Sequence, residues 1–251
     1  MTMRDPKPAQ RGGPAKQRRR TASPQAEAKP RRRKSGAAAE PDASGDGAQA
    51  PSRRAAKSAQ RRAAIVAAGL QEFVARGYTA TRLDDVARRA GVAKGTIYLY
   101  FKDKEALFQE LIRSALVPVV TRIAPQPGEG QSARALFEQF VQTFVREIVE
   151  TERADVLRLV LAEGARFPAL AEFHYREVVL RALGAIEQLI RYGIARGEIH
   201  HTVLAKFPQL VAAPALMAVI WQGLFSKHAP LDAAEMLRAH LDIIFDQRGT
   251  T

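Results

Sequence analysis

Cysteine is absent from the chain, which excludes a disulfide framework and a thiolate metal site. No Val, Ile, Leu, Phe, Tyr or Trp occurs before Ile65. The apolar segment of a signal peptide is therefore missing too, and a cytoplasmic protein is expected. The longest apolar stretch, Leu210 to Phe225, carries Pro214 and Gln222 and is shorter than the roughly 18 residues that suggest a membrane span. No membrane partner is expected. Also missing are strand-like alternation of useful length, an H-E-x-x-H pair, a G-x-S-x-G elbow, a P-loop and a dinucleotide fingerprint. The five histidines, His174, His200, His201, His228 and His240, fall in no metal-binding pattern. His200-His201 read as a solvated loop in preference to a metal site. Catalytic residues, metals and cofactors are not expected, and the chain is not read as an enzyme.

Charge is plentiful but uneven. The formal net charge is +13 over 251 residues. Residues 1–57 hold 15 Lys+Arg against 5 Asp+Glu, and the rest of the chain holds 24 against 21. Without apolar groups to bury, ordering residues 1–57 would cost backbone entropy with no return, so they are read as a disordered basic tail. Its clusters Arg18-Arg19-Arg20 and Arg31-Arg32-Arg33-Lys34 suit a DNA backbone through counterion release. A solvated extension, or a start codon placed upstream of the true one, accounts for the same composition.

What is present is concentrated between Thr81 and Phe101, TRLDDVARRAGVAKGTIYLYF. Leu83, Val86, Ala87 and Ala90 follow the spacing of one buried helical face. Thr81 is expected to be the N-cap, with Asp84 three residues on as in a shortened capping box. Gly91 closes the helix. Ile97, Tyr100 and Phe101 repeat the inward stripe, leaving Lys94, Gly95, Thr96, Tyr98 and Leu99 outward. That pattern is two short helices joined by a tight turn, a layout that sets one helix into a DNA major groove. Phosphate contacts supply much of the affinity in such a site, and contacts to base edges supply the choice of sequence. Lys94 and Thr96 stand at a helix N-terminus, where an anion is favoured. Tyr98 and Tyr100 each offer a hydroxyl to phosphate, Tyr100 being equally suited to packing, and Lys104 adds a flanking charge.

From about Ser58 to Leu111 the chain resembles the N-terminal domain of TetR-family transcriptional regulators. The residues that carry the resemblance are Ile65, Ala68 and Phe73, Gly77-Tyr78, Thr81, Asp85-Val86-Ala87, Ala90-Gly91-Val92, Lys94-Gly95-Thr96-Ile97-Tyr98, Tyr100-Phe101, Lys102 and Lys104-Glu105-Ala106-Leu107. The resemblance implies an all-α homodimer with two helix-turn-helix heads on a palindromic double-stranded DNA operator. It further implies that Thr81, Lys94, Gly95, Thr96, Tyr98, Tyr100 and Lys104 meet DNA. Arg82 stands where many relatives carry a small hydroxyl residue, and is either a further DNA contact or a solvated side chain. Leu99, variable in the family, is offered to a thymine methyl.

Beyond the loop Pro125 to Gln131 every segment has helical period, so the fold class is all-α. The expected division is a tail over 1–57, a helix-turn-helix domain over 58–104, and a helical ligand-binding and dimerisation domain over 105–251. Leu161 to Gly197 resembles one common subclass of the family's ligand domains, though less specifically. By that analogy the helices Val203–Ser226 and Asp232–Asp246 pair with their twins through Leu210, Met217, Ile220, Leu224, Leu237, Leu241 and Ile244. An effector pocket is expected among the middle helices. Its candidate lining is Phe137, Phe140, Phe144, Leu157, Leu161, Phe167, Phe173, Tyr175 and Trp221, with Glu163 and His174 as polar groups; for each, ordinary core packing is the other reading. The implied function is a homodimeric repressor released by a small hydrophobic ligand. A ligand-independent DNA-binding or architectural protein, and an activator on the same fold, remain open.

Overall fold

A computed structural model describes residues 53–123, 128 and 130–246. The basic clusters of the tail and most of the loop near Pro125 lie outside the described residues. Among those described, all regular structure is helical, as the periodicity predicts.

Helix α1 spans Arg53–Ala80. It begins five residues before the expected Ser58, because Ala, Arg, Lys and Gln are strong helix formers even where nothing is buried. Burial starts at Ile65 and continues through Ala68, Gly69, Glu72 and Phe73. Gly77, at φ +74°, breaks the helical path, a conformation that glycine adopts at little cost. Helix α2 is Leu83–Arg89, and Gly91 at φ +66° turns the chain into the single turn α3, Lys94–Ile97. Asp103 caps α4, Lys104–Ala115, accepting from Ala106 N at 2.7 Å. A further short helix, α5, Val117–Ile123, follows and buries Val119.

The rest of the chain is a bundle. It contains α6 (Ala133–Phe144), a π-helical turn over Val145–Val149, and α7 (Arg153–Glu163). Next come α8 (Pro168–His174), a second π turn over Tyr175–Val179, and α9 (Leu180–Ala195). It closes with α10 (Val203–Lys206), α11 (Gln209–Leu224) and α12 (Ala233–Phe245). The single helix expected from Val203 to Ser226 is two helices, since Phe207 leaves the helical region ahead of Pro208. Asp232 caps α12 at Glu235 N.

Helix α1 packs on α2, α4 and α7 at once, so the helix-turn-helix and the bundle share one apolar core. Phe108 sits at that junction with no solvent exposure. Its ring lies 5.2 Å from Phe73 and 5.4 Å from Tyr78, edge-on to both. Phe108→Ala is expected to lower unfolding stability by about 3–5 kcal/mol, read as a lower denaturant midpoint. A midpoint unchanged from the parent would show that this junction holds nothing together.

Candidate DNA interface and effector cavity

The outward surface of the helix-turn-helix is made by α3 and the turn after it. Ile97 and Phe101 are buried beneath, while Leu99 is 83% and Tyr98 48% exposed. Lys94, Gly95 and Arg82 are exposed as well, and Thr96 is half-buried. These six residues form the polar and apolar set expected for phosphate and base edges. An acid on α2 reaches into this set. Asp84, on α2, accepts from Lys94 Nζ at 2.7 Å. The Lys94 hydrogen bond, helped by the Lys94 and Arg82 charges and the Tyr98 hydroxyl, holds the Asp84 carboxyl below its ordinary range. The same bond raises Lys94. Asp84 thus holds the Lys94 ammonium, where the sequence suggested a capping role.

Three residues expected at the DNA also have partners within the protomer. Thr81 is only 2% exposed, and its hydroxyl donates to the carbonyls of Glu72 and Gly77. It does not cap α2, whose N-cap is Arg82, without a side-chain bond. Lys104 turns inward to donate to the carbonyls of Tyr78 and Thr79 at 2.9 and 3.0 Å, with its ammonium 4.6 Å from the Tyr78 ring centroid. Tyr100 is half-buried, its hydroxyl 3.3 Å from Ser58 Oγ, and braces α1. The angle between α1 and α2 is fixed by Glu72, a buried carboxylate between Arg76 at 3.2 Å and Arg89 at 2.6 Å. Pairing on both sides is what makes a charge tolerable there.

A cavity of about 190 Å³ opens among α5, α6, α7, α9 and α11. Of the residues expected to line it, Phe140, Phe144, Leu157 and His174 do. The others have different work. Phe137 is core, edge-on to Phe245. Leu161 and Tyr175 are exposed. Phe173 lies under the Arg113 guanidinium. Trp221 packs on Phe225 and donates to Ala229 O at 2.7 Å. Phe167 meets the Tyr78 ring at 4.6 Å, and Glu163 accepts from Tyr78 N at 3.0 Å. Both π turns contribute walls, through Ile148, Val178 and Val179; such turns recur at functional sites. Periodicity read with a helical repeat of 3.6 passes over them.

Burial pushes the His174 imidazole down to about 4 and also lowers His240. Below the ordinary value of 6.5, an unfolded chain takes up protons that the folded one refuses, so stability falls as pH drops from about 7 towards 4. Melting temperature is expected to decline across pH 6.5 to 5, above the range where carboxylates titrate, and His174→Phe should flatten the decline. An equally steep decline in the variant contradicts the assignment.

The interface expected on α11 and α12 also divides. Leu210, Met217 and Leu224 are exposed and Ile220 is half-buried. Leu237, Leu241 and Ile244 are buried within the protomer instead. The outer face of α12 is Met236, Ala239, His240 and Ile243, which form an apolar groove with Ala213, Pro214 and Met217 of α11. Ile243 is 70% exposed.

Comparison with known proteins agrees with this geometry. Residues 65–111 match the family model for bacterial regulatory proteins of the tetR family, and residues 127–242 match that for the tetracyclin repressor-like C-terminal domain. The HTH-type transcriptional regulator SrpR of Pseudomonas putida is 25% identical over 173 residues, 69% of this chain and 79% of that protein. The HTH-type transcriptional repressor KstR2 of Rhodococcus jostii is 26% identical over 182 residues, 69% of this chain and 84% of that protein. In fold, the fatty acid degradation regulator FadR from Bacillus halodurans superposes with a TM-score of 0.61 at 22% identity, covering 76% of this chain and 97% of that one. With the helix-turn-helix and the helical domain both matched, the chain belongs to the TetR family and is a DNA-binding transcriptional regulator.

Proposed function

We propose that the protein is a cytoplasmic homodimeric repressor that leaves a palindromic operator when a small apolar molecule enters the cavity. The observation that carries this reading is the sharing of one helix between cavity and DNA-binding head. Helix α8 ends at His174, in the cavity wall, and is preceded by Phe167, whose ring packs on Tyr78. Beside it, Glu163 at the end of α7 holds the Tyr78 backbone, and Tyr78 stands in the segment that leads into α2. An effector that wedges α8 outward pulls on the base of the helix-turn-helix. It shifts the equilibrium by the difference in its affinity for the two arrangements, and by no more.

Dimerisation through the groove of α11 and α12 is supported by its exposed Met217 and Ile243. Apolar surface of this kind, continuous along two helices, marks an interaction site. Pairing with a second copy makes a four-helix interface. Two heads then read half-sites one DNA turn apart, ~34 Å. The repressor KstR2 among the relatives supports the sign of regulation.

An operator selected from random duplexes by the purified protein allows the test. Apolar compounds that raise the melting temperature should also lower fluorescence anisotropy of the labelled operator complex. Ala215→Phe, which fills the cavity, should blunt that response. A complex indifferent to every such compound would instead identify a ligand-independent DNA-binding protein.

A further inference from the structure

The cavity wall is almost wholly hydrocarbon. Among the described residues no Asp, Glu, Lys, Arg, Ser or Thr lines it, and His174 is the one polar side chain. The His174 ring has no hydrogen-bond partner among the described residues, and its Nδ1 is sealed from solvent. A neutral imidazole always carries one donor and one acceptor. An unmatched ring nitrogen in an apolar wall costs free energy, and a group bound at the accessible Nε2 recovers part of it. Nδ1 is closed to the cavity as well as to solvent, so an occupant meets Nε2, and a hydroxyl, itself donor and acceptor, matches Nε2 in either tautomer. Size narrows the choice further. An apolar cavity of about 150 Å³ stays dry and holds a benzene-sized molecule, and this one, at about 190 Å³, is slightly larger. Phe140 and Phe144 offer ring faces and edges to such an occupant.

We propose that the effector is an uncharged, compact apolar compound of about single-ring size bearing one hydroxyl, a phenol-like molecule, and that His174 selects it by accepting or donating the hydrogen bond to that hydroxyl. The inference rests on the cavity being the effector site. A carboxylate or ammonium is rejected, because the wall holds no counter-charge and burying an unpaired ion is prohibitive. His174 itself supplies none, since burial keeps it neutral at pH 7.

Three probes of matched size separate these terms: 4-ethylphenol, ethylbenzene and 4-ethylbenzoate, titrated into the full-length protein at pH 7 by calorimetry. The phenol is expected to bind about 5- to 10-fold more tightly than the hydrocarbon, the worth of one hydrogen bond, and the benzoate not measurably. His174→Phe should retain ethylbenzene and lose the preference for the phenol. His174→Asn, which keeps hydrogen-bonding capacity, should retain part of it. Tighter binding of the benzoate, or a phenol preference that survives His174→Phe, overturns the proposal. The operator separates this inference from the gating it builds on. Phenol binding without operator release upholds the cavity's selectivity and contradicts gating. Release by a charged compound that Ala215→Phe abolishes upholds gating and overturns the selectivity.

Discussion

A Met217→Glu, Ile243→Glu double variant is expected to sediment as a folded monomer and to lose operator affinity by about 100- to 10,000-fold. Both side chains are largely exposed in the protomer, Met217 at 47% and Ile243 at 70%, so the protomer core is undisturbed. Across a two-fold axis each substitution appears twice, which places four carboxylates in an apolar groove. Each costs several kcal/mol when buried without a partner, and a nanomolar dimer is held by only about 12 kcal/mol. The loss on DNA follows from linkage of the two heads. In a dimer the second head binds at a high effective concentration, an advantage worth about 10²–10⁴ that a monomer forfeits. Sedimentation and far-UV circular dichroism together check the result. A variant that stays dimeric places the interface elsewhere.

The second large effect concerns Lys94. Lys94→Ala is expected to weaken operator binding by more than Tyr98→Ala does, even though each is expected to offer one phosphate contact. The reason is Asp84, whose carboxylate is paired with Lys94 at 2.7 Å. Removing the lysine deletes a cation and also leaves an anion facing the phosphates. A loss of roughly 30- to 100-fold at low salt is expected, uniform across DNA sequences, with the salt dependence reduced by about one counterion. Asp84→Ala in the Lys94→Ala background should recover part of the affinity. Titrations at several salt concentrations check both statements. Equal affinities for the single and double variants would show that Asp84 does not face the DNA.

The legible part of this molecule was the part written in short-range pattern. Leu83, Val86 and Ala87 are buried where their spacing places them, and Gly91 takes the left-handed turn. Asp103 and Asp232 each accept from the backbone N–H three residues on, the short-range spacing of an N-cap. Spacing identifies a stripe but not which neighbour covers it. Helix α12 has two apolar faces. The more regular one, Leu237, Leu241 and Ile244, serves its own protomer, and the less regular one with Ile243 is left outward. Aromatic residues misled for a similar reason. Phe167, Phe173 and Trp221 are apolar enough for a cavity, yet each packs in a specific aromatic or cation pair with a residue distant in sequence or on an adjoining turn. Thr81 shows the converse. A hydroxyl before a helix reads as a cap, but two nearby carbonyls of α1 are closer partners. The roles of Asp84 and Glu163 were hidden because both depend on tertiary geometry; Glu163 reaches a backbone group 85 residues away.

The most direct test is a footprint of the purified protein on DNA from its own genome. Protection of an inverted repeat, with half-sites about one helical turn apart and both contacted through the major groove, is the expected result. Diffuse protection with no preferred sequence, or protection of a single half-site at saturating protein, would contradict it.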